Sequence, residues 1–123
     1  MPKMIQIEWL VAPEEHNYPS AASYLSLLYG SDQVEALVEA LRKAPMTTYK
    51  SRDIFRASDL PMLGLSNSKV QKNRRKIKAG EALSPVLLVR TGNGNKVIIA
   101  DGYHRVCSVY SFHEDALIPC KIV

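Results

Sequence analysis

The run Ile5-Gln6-Ile7-Glu8-Trp9-Leu10-Val11 alternates partly between apolar and polar side chains, a period that predicts a strand. Ala12-Pro13-Glu14-Glu15 ends it. Pro19-Ser20 then opens a helical stretch over Ala21 to Tyr29, with Gly30 as its stop. Val34, Leu37, Val38 and Leu41 follow at i, i+3, i+4, i+7, the stripe of an amphipathic helix. Asp32 as cap with Glu35 three residues on starts that helix like a capping box, Glu39 and Lys43 support it, and Pro45 closes it. Residues 19–44 read as a short helical hairpin with a scaffolding role.

Met46-Thr47-Thr48-Tyr49 predicts a short strand, and Ser51 to Leu60 a short helix carrying Ile54, Phe55 and Leu60. Residues 60–65 form a loop. A helix over about 68–79 takes Ser66 or Ser68 as cap and Gly80 as stop. At 100° per residue, Val70 and Ile77 share one narrow apolar stripe and Lys69, Lys72 and Lys76 a neighbouring one. Arg75 and Lys78 lie further round. Pro85 to Arg90 is a strongly apolar strand, and Lys96 to Ala100 returns antiparallel after a hairpin loop at 91–95. A helix from Val106 to Phe112 turns Val106, Val109 and Tyr110 to the core. Ile118 to Val123 is a last strand, whose Pro119 predicts an edge position or a strand start. No repeat, low-complexity tract or linker interrupts the pattern, so the 123 residues form a single domain.

Charge changes this picture at one place. Of the sixteen Lys and Arg, six (Lys69, Lys72, Arg74, Arg75, Lys76 and Lys78) fall within ten residues, and no acidic residue lies between Asp59 and Glu81. The ten basic residues elsewhere face twelve acidic ones. The basic character is one helix, which points to a local anionic partner or to a solvated face. No apolar run approaches the length of a membrane span, and Glu8, Glu14 and Glu15 interrupt any signal-peptide core. A cytoplasmic protein with Cys107 and Cys120 as reduced thiols is the expectation.

The chemistry concentrates at Asp101-Gly102-Tyr103-His104-Arg105, between a strand and a helix. Glycine there lets a ligand approach the backbone, and the free amides of the helix start favour an anion. His104 and Arg105 add donors suited to phosphate, and Tyr103 either stacks on a base, bonds a phosphate or packs. Asp101 caps the helix or holds a Mg²⁺ that accompanies a nucleotide. Gly92-Asn93-Gly94 leads into a strand and is turn chemistry, not a phosphate loop. His104, Cys107, His113 and Cys120 lack the spacing of a zinc site. Cys107 reads as a small core residue ahead of a nucleophile.

In these motifs the chain resembles the ParB/sulfiredoxin superfamily. The resemblance rests on Val97-Ile98-Ile99-Ala100, the turn Gly102-Tyr103-His104-Arg105, the helix to Phe112, and Ile118-Pro119-Cys120-Lys121-Ile122-Val123. Lys69-Val70-Gln71 followed by Ser84-Pro85-Val86-Leu87-Leu88-Val89 resembles the family's helix and x-Pro-hydrophobic strand. It covers roughly residues 60–123, with 46–59 beside it. It implies an α/β (α+β) fold with a small mixed sheet, here with an N-terminal strand and helical hairpin (1–45) added to a nucleotide-binding core (46–123). It also implies that Lys69, Gly102, Tyr103 through its backbone, His104 and Arg105 hold the phosphates of ATP or CTP, with Asp101 positioning Mg²⁺ or acting as base.

The departures restrict the chemistry. Sulfiredoxins carry their catalytic cysteine where this chain has Tyr103, and a phenol forms no thiosulfinate, which argues against sulfinic-acid reduction. ParB partition proteins continue into a helix-turn-helix and a dimerisation domain, and this chain ends at Val123, which argues against centromere binding. The free-serine kinases of the superfamily share only the start of the turn, Asp101-Gly102. The leading expectation is therefore a nucleotide-binding protein that hydrolyses a nucleoside triphosphate or transfers its phosphate, with Glu81 as second carboxylate. The alternative is a non-enzymatic module that binds nucleic acid through Lys69, Lys72, Arg74, Arg75, Lys76 and Lys78, or binds another protein, for which the hairpin 19–44 offers a surface.

Overall fold

The computed structural model describes residues 5–91 and 96–123. Its centre is a four-stranded sheet in the order β1 (Thr47–Lys50), β4 (Leu117–Ile122), β2 (Val86–Arg90), β3 (Val97–Asp101). β1 runs antiparallel to β4 and β2 antiparallel to β3, while β2 and β4 are parallel, so the sheet is mixed. The protein is of the α/β class, with five helices among the described residues.

The unbroken apolar run of β2 follows from burial on both faces. Val86 and Leu88 enter one core with Ile54 and Phe55 of α3 (Ser51–Ser58), Val70 and Ile77 of α4 (Ser68–Lys78), and Val106 and Val109 of α5 (Tyr103–Phe112). Leu87 and Val89 enter a second core with Tyr18, Ala21 and Leu25 of α1 (Asn17–Leu25) and Val34 and Leu41 of α2 (Ser31–Lys43). The N-terminal hairpin is thus the third layer of an α/β/α sandwich. Lys121 of β4 is buried among this layer, where its ammonium donates to the Arg42 carbonyl at 2.8 Å. That carbonyl belongs to the last turn of α2, the end of a helix that favours a cation.

Several boundaries move for local reasons. The strand expected at 5–11 reduces to one bridge, Trp9 to Leu83, with Leu10 N–H to Leu83 O at 2.9 Å and Leu83 N–H to Glu8 O at 2.9 Å. It cannot lengthen towards Pro85, because the next bond of this parallel pairing would need an N–H that Pro85 lacks. α1 begins at Asn17, which leaves Pro19 in its first turn, where a missing N–H breaks no helix bond. α2 starts one residue before Asp32, with Gly30 at the cap position and Asp32 in the first turn. α5 starts at Tyr103, three residues earlier than its apolar pattern. β4 is an inner strand and Pro119 is its third residue, so neither the edge reading nor the strand-start reading of Pro119 holds; the proline is tolerated because it pairs only with Thr48, and pairing to β2 begins at Cys120. Of the hairpin loop expected at 91–95, residues 92–95 lie outside the described residues, and β2 and β3 on either side pair antiparallel.

The cap of α4 is Asn67, not Ser66 or Ser68. Its side-chain oxygen accepts from Lys69 N–H at 3.0 Å and Val70 N–H at 3.1 Å. Asn67→Ala should cost about 1 kcal/mol of folding stability. Thermal unfolding reads this directly, and an unchanged midpoint would remove Asn67 as the cap.

Candidate functional site

β3 carries a bulge just before the expected phosphate turn. Leu88 pairs with Ile99, yet Leu87 pairs with Asp101, so Ala100 is an extra residue in the ladder. Gly102 follows at φ 110°, a conformation that favours glycine. A Cβ there would lie 2.9 Å from Val86 Cγ2 and 2.9 Å from Arg105 Nη2. Glycine is required twice, for its dihedral and for the close approach. The α5 hydrogen-bond ladder begins here, with Val106 N–H to Gly102 O at 2.9 Å.

Arg105 is held by the protein itself. Its Nη2 donates to Asp101 Oδ2 at 2.6 Å, and its Nη1 donates to Ser84 O at 3.0 Å and to Asn17 Oδ1 at 3.3 Å. The Ser84 hydroxyl donates to the same Asn17 oxygen and accepts the Glu14 N–H at 3.0 Å. The Arg105–Asp101 pair is mostly buried, at 13% and 19% side-chain exposure. Burial pushes the Asp101 carboxyl above its usual range, against the charge and hydrogen bond of Arg105 and the nearby His16. This lock joins α1, the segment before β2, β3 and α5. It gives Arg105 and Asp101 a positioning role that the motif alone did not reveal.

The lysines of α4 face the same place. Lys69, Lys72 and Lys76 line a cleft of about 330 Å³ together with Gly102, Tyr103, His104 and Arg105. Among the described residues, none of the three lysines makes an ion pair. Their helix is pinned to α5 by the buried Ser108 hydroxyl, which donates to Val70 O at 3.0 Å. The other α4 cations point elsewhere. Arg74 lies over the Phe112 ring at 4.0 Å and bonds the Ser111 hydroxyl, while Arg75 and Lys78 are exposed outside the cleft lining. The six basic residues are therefore not one continuous patch.

The remaining expected residues divide. His104 lines the cleft, and burial, then the charge of Lys69, pushes its pKa below the ordinary histidine value. It is a neutral donor at pH 7, and the lysines supply the charge. Tyr103 donates its hydroxyl to Pro61 O, a packing role beside its place in the lining. Glu81 does not line the cleft; the carboxylates that do are Asp101 and Glu14. Asp101 commits its Oδ2 to Arg105. No group of three or more His, Cys, Asp or Glu stands together as a metal site among the described residues. Cys107 is fully buried and burial pushes its thiol up, against two backbone hydrogen bonds, so it is a core residue. Cys120 is likewise buried, its thiol pushed up to about 11.

Glu14, His16, Asn17 and Ser20 form part of the lining and were not expected there. Ser20 belongs to the hairpin that the sequence pattern treats as scaffold, and the other three lie in the stretch just before it. Asn17 and Ser84 are buried polar residues at 4% and 3% exposure, but no short spacing marks them, since Asn17 lies 88 residues from Arg105. Among the described residues, no helix is long and apolar enough to cross a membrane. No protein-family model, curated protein or solved structure matches the chain.

Proposed function

We propose that the cleft binds the phosphates of a nucleotide of the ATP or CTP type, and that hydrolysis or transfer of a phosphate is the activity it serves. The observation that carries this reading is the convergence of Lys69, Lys72 and Lys76, free of ion pairs among the described residues, on the start of α5. Exposed lysines and the first amides of a helix both favour phosphate, and at 330 Å³ the cleft is of ligand size. The lysines and His104 contact the phosphates, and the locked Arg105 and Gly102 fix the turn. The resemblance to the ParB/sulfiredoxin superfamily, whose members use the corresponding turn for ATP or CTP, supports the same reading. Asp101 would hold a Mg²⁺ bound with the nucleotide through its oxygen not committed to Arg105, and such an ion would supply charge neutralisation on the phosphates.

Calorimetric titration with ATP, CTP and ADP in the presence of Mg²⁺ tests the reading. Saturable binding with one site per chain is expected, and absence of binding at millimolar nucleotide overturns it.

The nucleic-acid alternative runs through Arg75 and Lys78, the α4 cations exposed away from the cleft. On the nucleotide reading, the double variant Arg75→Ala/Lys78→Ala keeps its affinity for ATP within about twofold, because neither side chain lines the cleft. Salt-dependent binding to single- or double-stranded nucleic acid that this variant alone abolishes would establish the alternative.

A further inference from the structure

Two elements contribute walls of different chemistry to the cleft. The wall from α4 carries Lys69, Lys72 and Lys76. The wall from the N-terminal segment carries Glu14, His16 and Ser20. Glu14 is held by its backbone, whose N–H donates to the Ser84 hydroxyl at 3.0 Å, and its carboxylate is half exposed. The only ion-pair partner of that carboxylate among the described residues is His16 Nδ1, at 3.8 Å. It neutralises none of the three lysines. A carboxylate left beside an anion-binding wall repels phosphate, and an ionised carboxylate only accepts hydrogen bonds. A ligand that profits from it carries hydrogen-bond donors besides its phosphates.

We infer that the N-terminal wall reads the sugar of a phosphorylated ligand: Glu14 accepts hydrogen bonds from vicinal ribose hydroxyls while the α4 lysines hold the phosphates. Ser20 adds a hydroxyl that donates or accepts beside it. The hairpin layer then has a second task besides covering the sheet, because it carries this wall and anchors it to the Arg105 lock through Asn17. This inference rests on the proposed function above, and it makes the bare polyphosphate chain an incomplete ligand.

The test compares three probes on the full chain by calorimetry at constant Mg²⁺: ATP, 2′,3′-dideoxy-ATP and inorganic tripolyphosphate. The wild-type protein should bind ATP about tenfold more tightly than the dideoxy analogue, the value of one or two hydrogen bonds to a charged acceptor. Glu14→Gln should weaken ATP by about the same factor, erase the preference over the dideoxy analogue, and leave tripolyphosphate unchanged or tighter, since a repulsive charge is gone. Glu14 is exposed enough that the variant keeps the fold, and an unchanged unfolding midpoint verifies this. Equal binding of ATP and its dideoxy analogue by the wild type overturns the inference while leaving nucleotide binding intact. So does an equal loss of ATP and tripolyphosphate in Glu14→Gln, which would assign Glu14 to the metal. Failure of all three probes to bind overturns the proposed function and the inference with it.

Discussion

Replacing Lys69, Lys72 and Lys76 together by alanine should lower the affinity for ATP by about 10²- to 10³-fold. Each ammonium removed deletes a charge-assisted contact to phosphate, individually about 1–1.5 kcal/mol where partly solvated, and the three losses combine less than additively. The fold should survive. Lys69 and Lys72 are exposed, Lys76 is half-buried, and none makes an ion pair among the described residues. Alanine is also the better helix former. Loss of binding with an unchanged unfolding midpoint therefore reports on the cleft, and single variants should each lose roughly five- to tenfold. Retained affinity in the triple variant would move the ligand off the cationic wall.

Gly102→Ala should cost about 2–4 kcal/mol of stability. The new methyl must hold φ 110° and must also lie 2.9 Å from Val86 Cγ2, a side chain with no exposed surface that cannot step aside. Relief by moving Arg105 breaks its bond to Asp101 and leaves a mostly buried carboxylate without its partner. The unfolding midpoint should fall by about 10 °C. Gly64→Ala is the control, because a Cβ there meets nothing within 4 Å, and it should shift the midpoint by less than about 2 °C. Equal behaviour of the two variants would refute the argument for Gly102.

What could be read in the sequence was what repeats at a local period. The Val70/Ile77 stripe and the adjacent Lys69/Lys72/Lys76 stripe follow from helical geometry, and both hold: the first is buried and the second lines the cleft. The apolar run of β2 and the hairpin were both visible, but not that each explains the other, with the hairpin covering the second face of the strand. The turn at 101–105 was legible as a strand-to-helix junction that needs glycine, whereas the state of its charges was not. Arg105 finds Asp101 four residues away, a spacing open to inspection, yet its other partners are Ser84 and Asn17, 21 and 88 residues distant. Such bonds depend on where the layers meet. The same holds for the carboxylates: Glu81 is near α4 in sequence but outside the cleft, and Glu14 is far away in sequence and inside it.

Thermal unfolding with and without nucleotide tests the central claim most directly. A ligand that binds only the folded chain raises stability by RT ln(1 + [L]/Kd), about 2.7 kcal/mol at a hundredfold excess over Kd. With ATP or CTP and Mg²⁺ at millimolar concentration, the midpoint of the wild-type protein and of Arg75→Ala/Lys78→Ala should rise by several degrees. That of Lys69→Ala/Lys72→Ala/Lys76→Ala should not move. No rise with any nucleotide, or a rise that persists undiminished in the triple variant, would contradict the account.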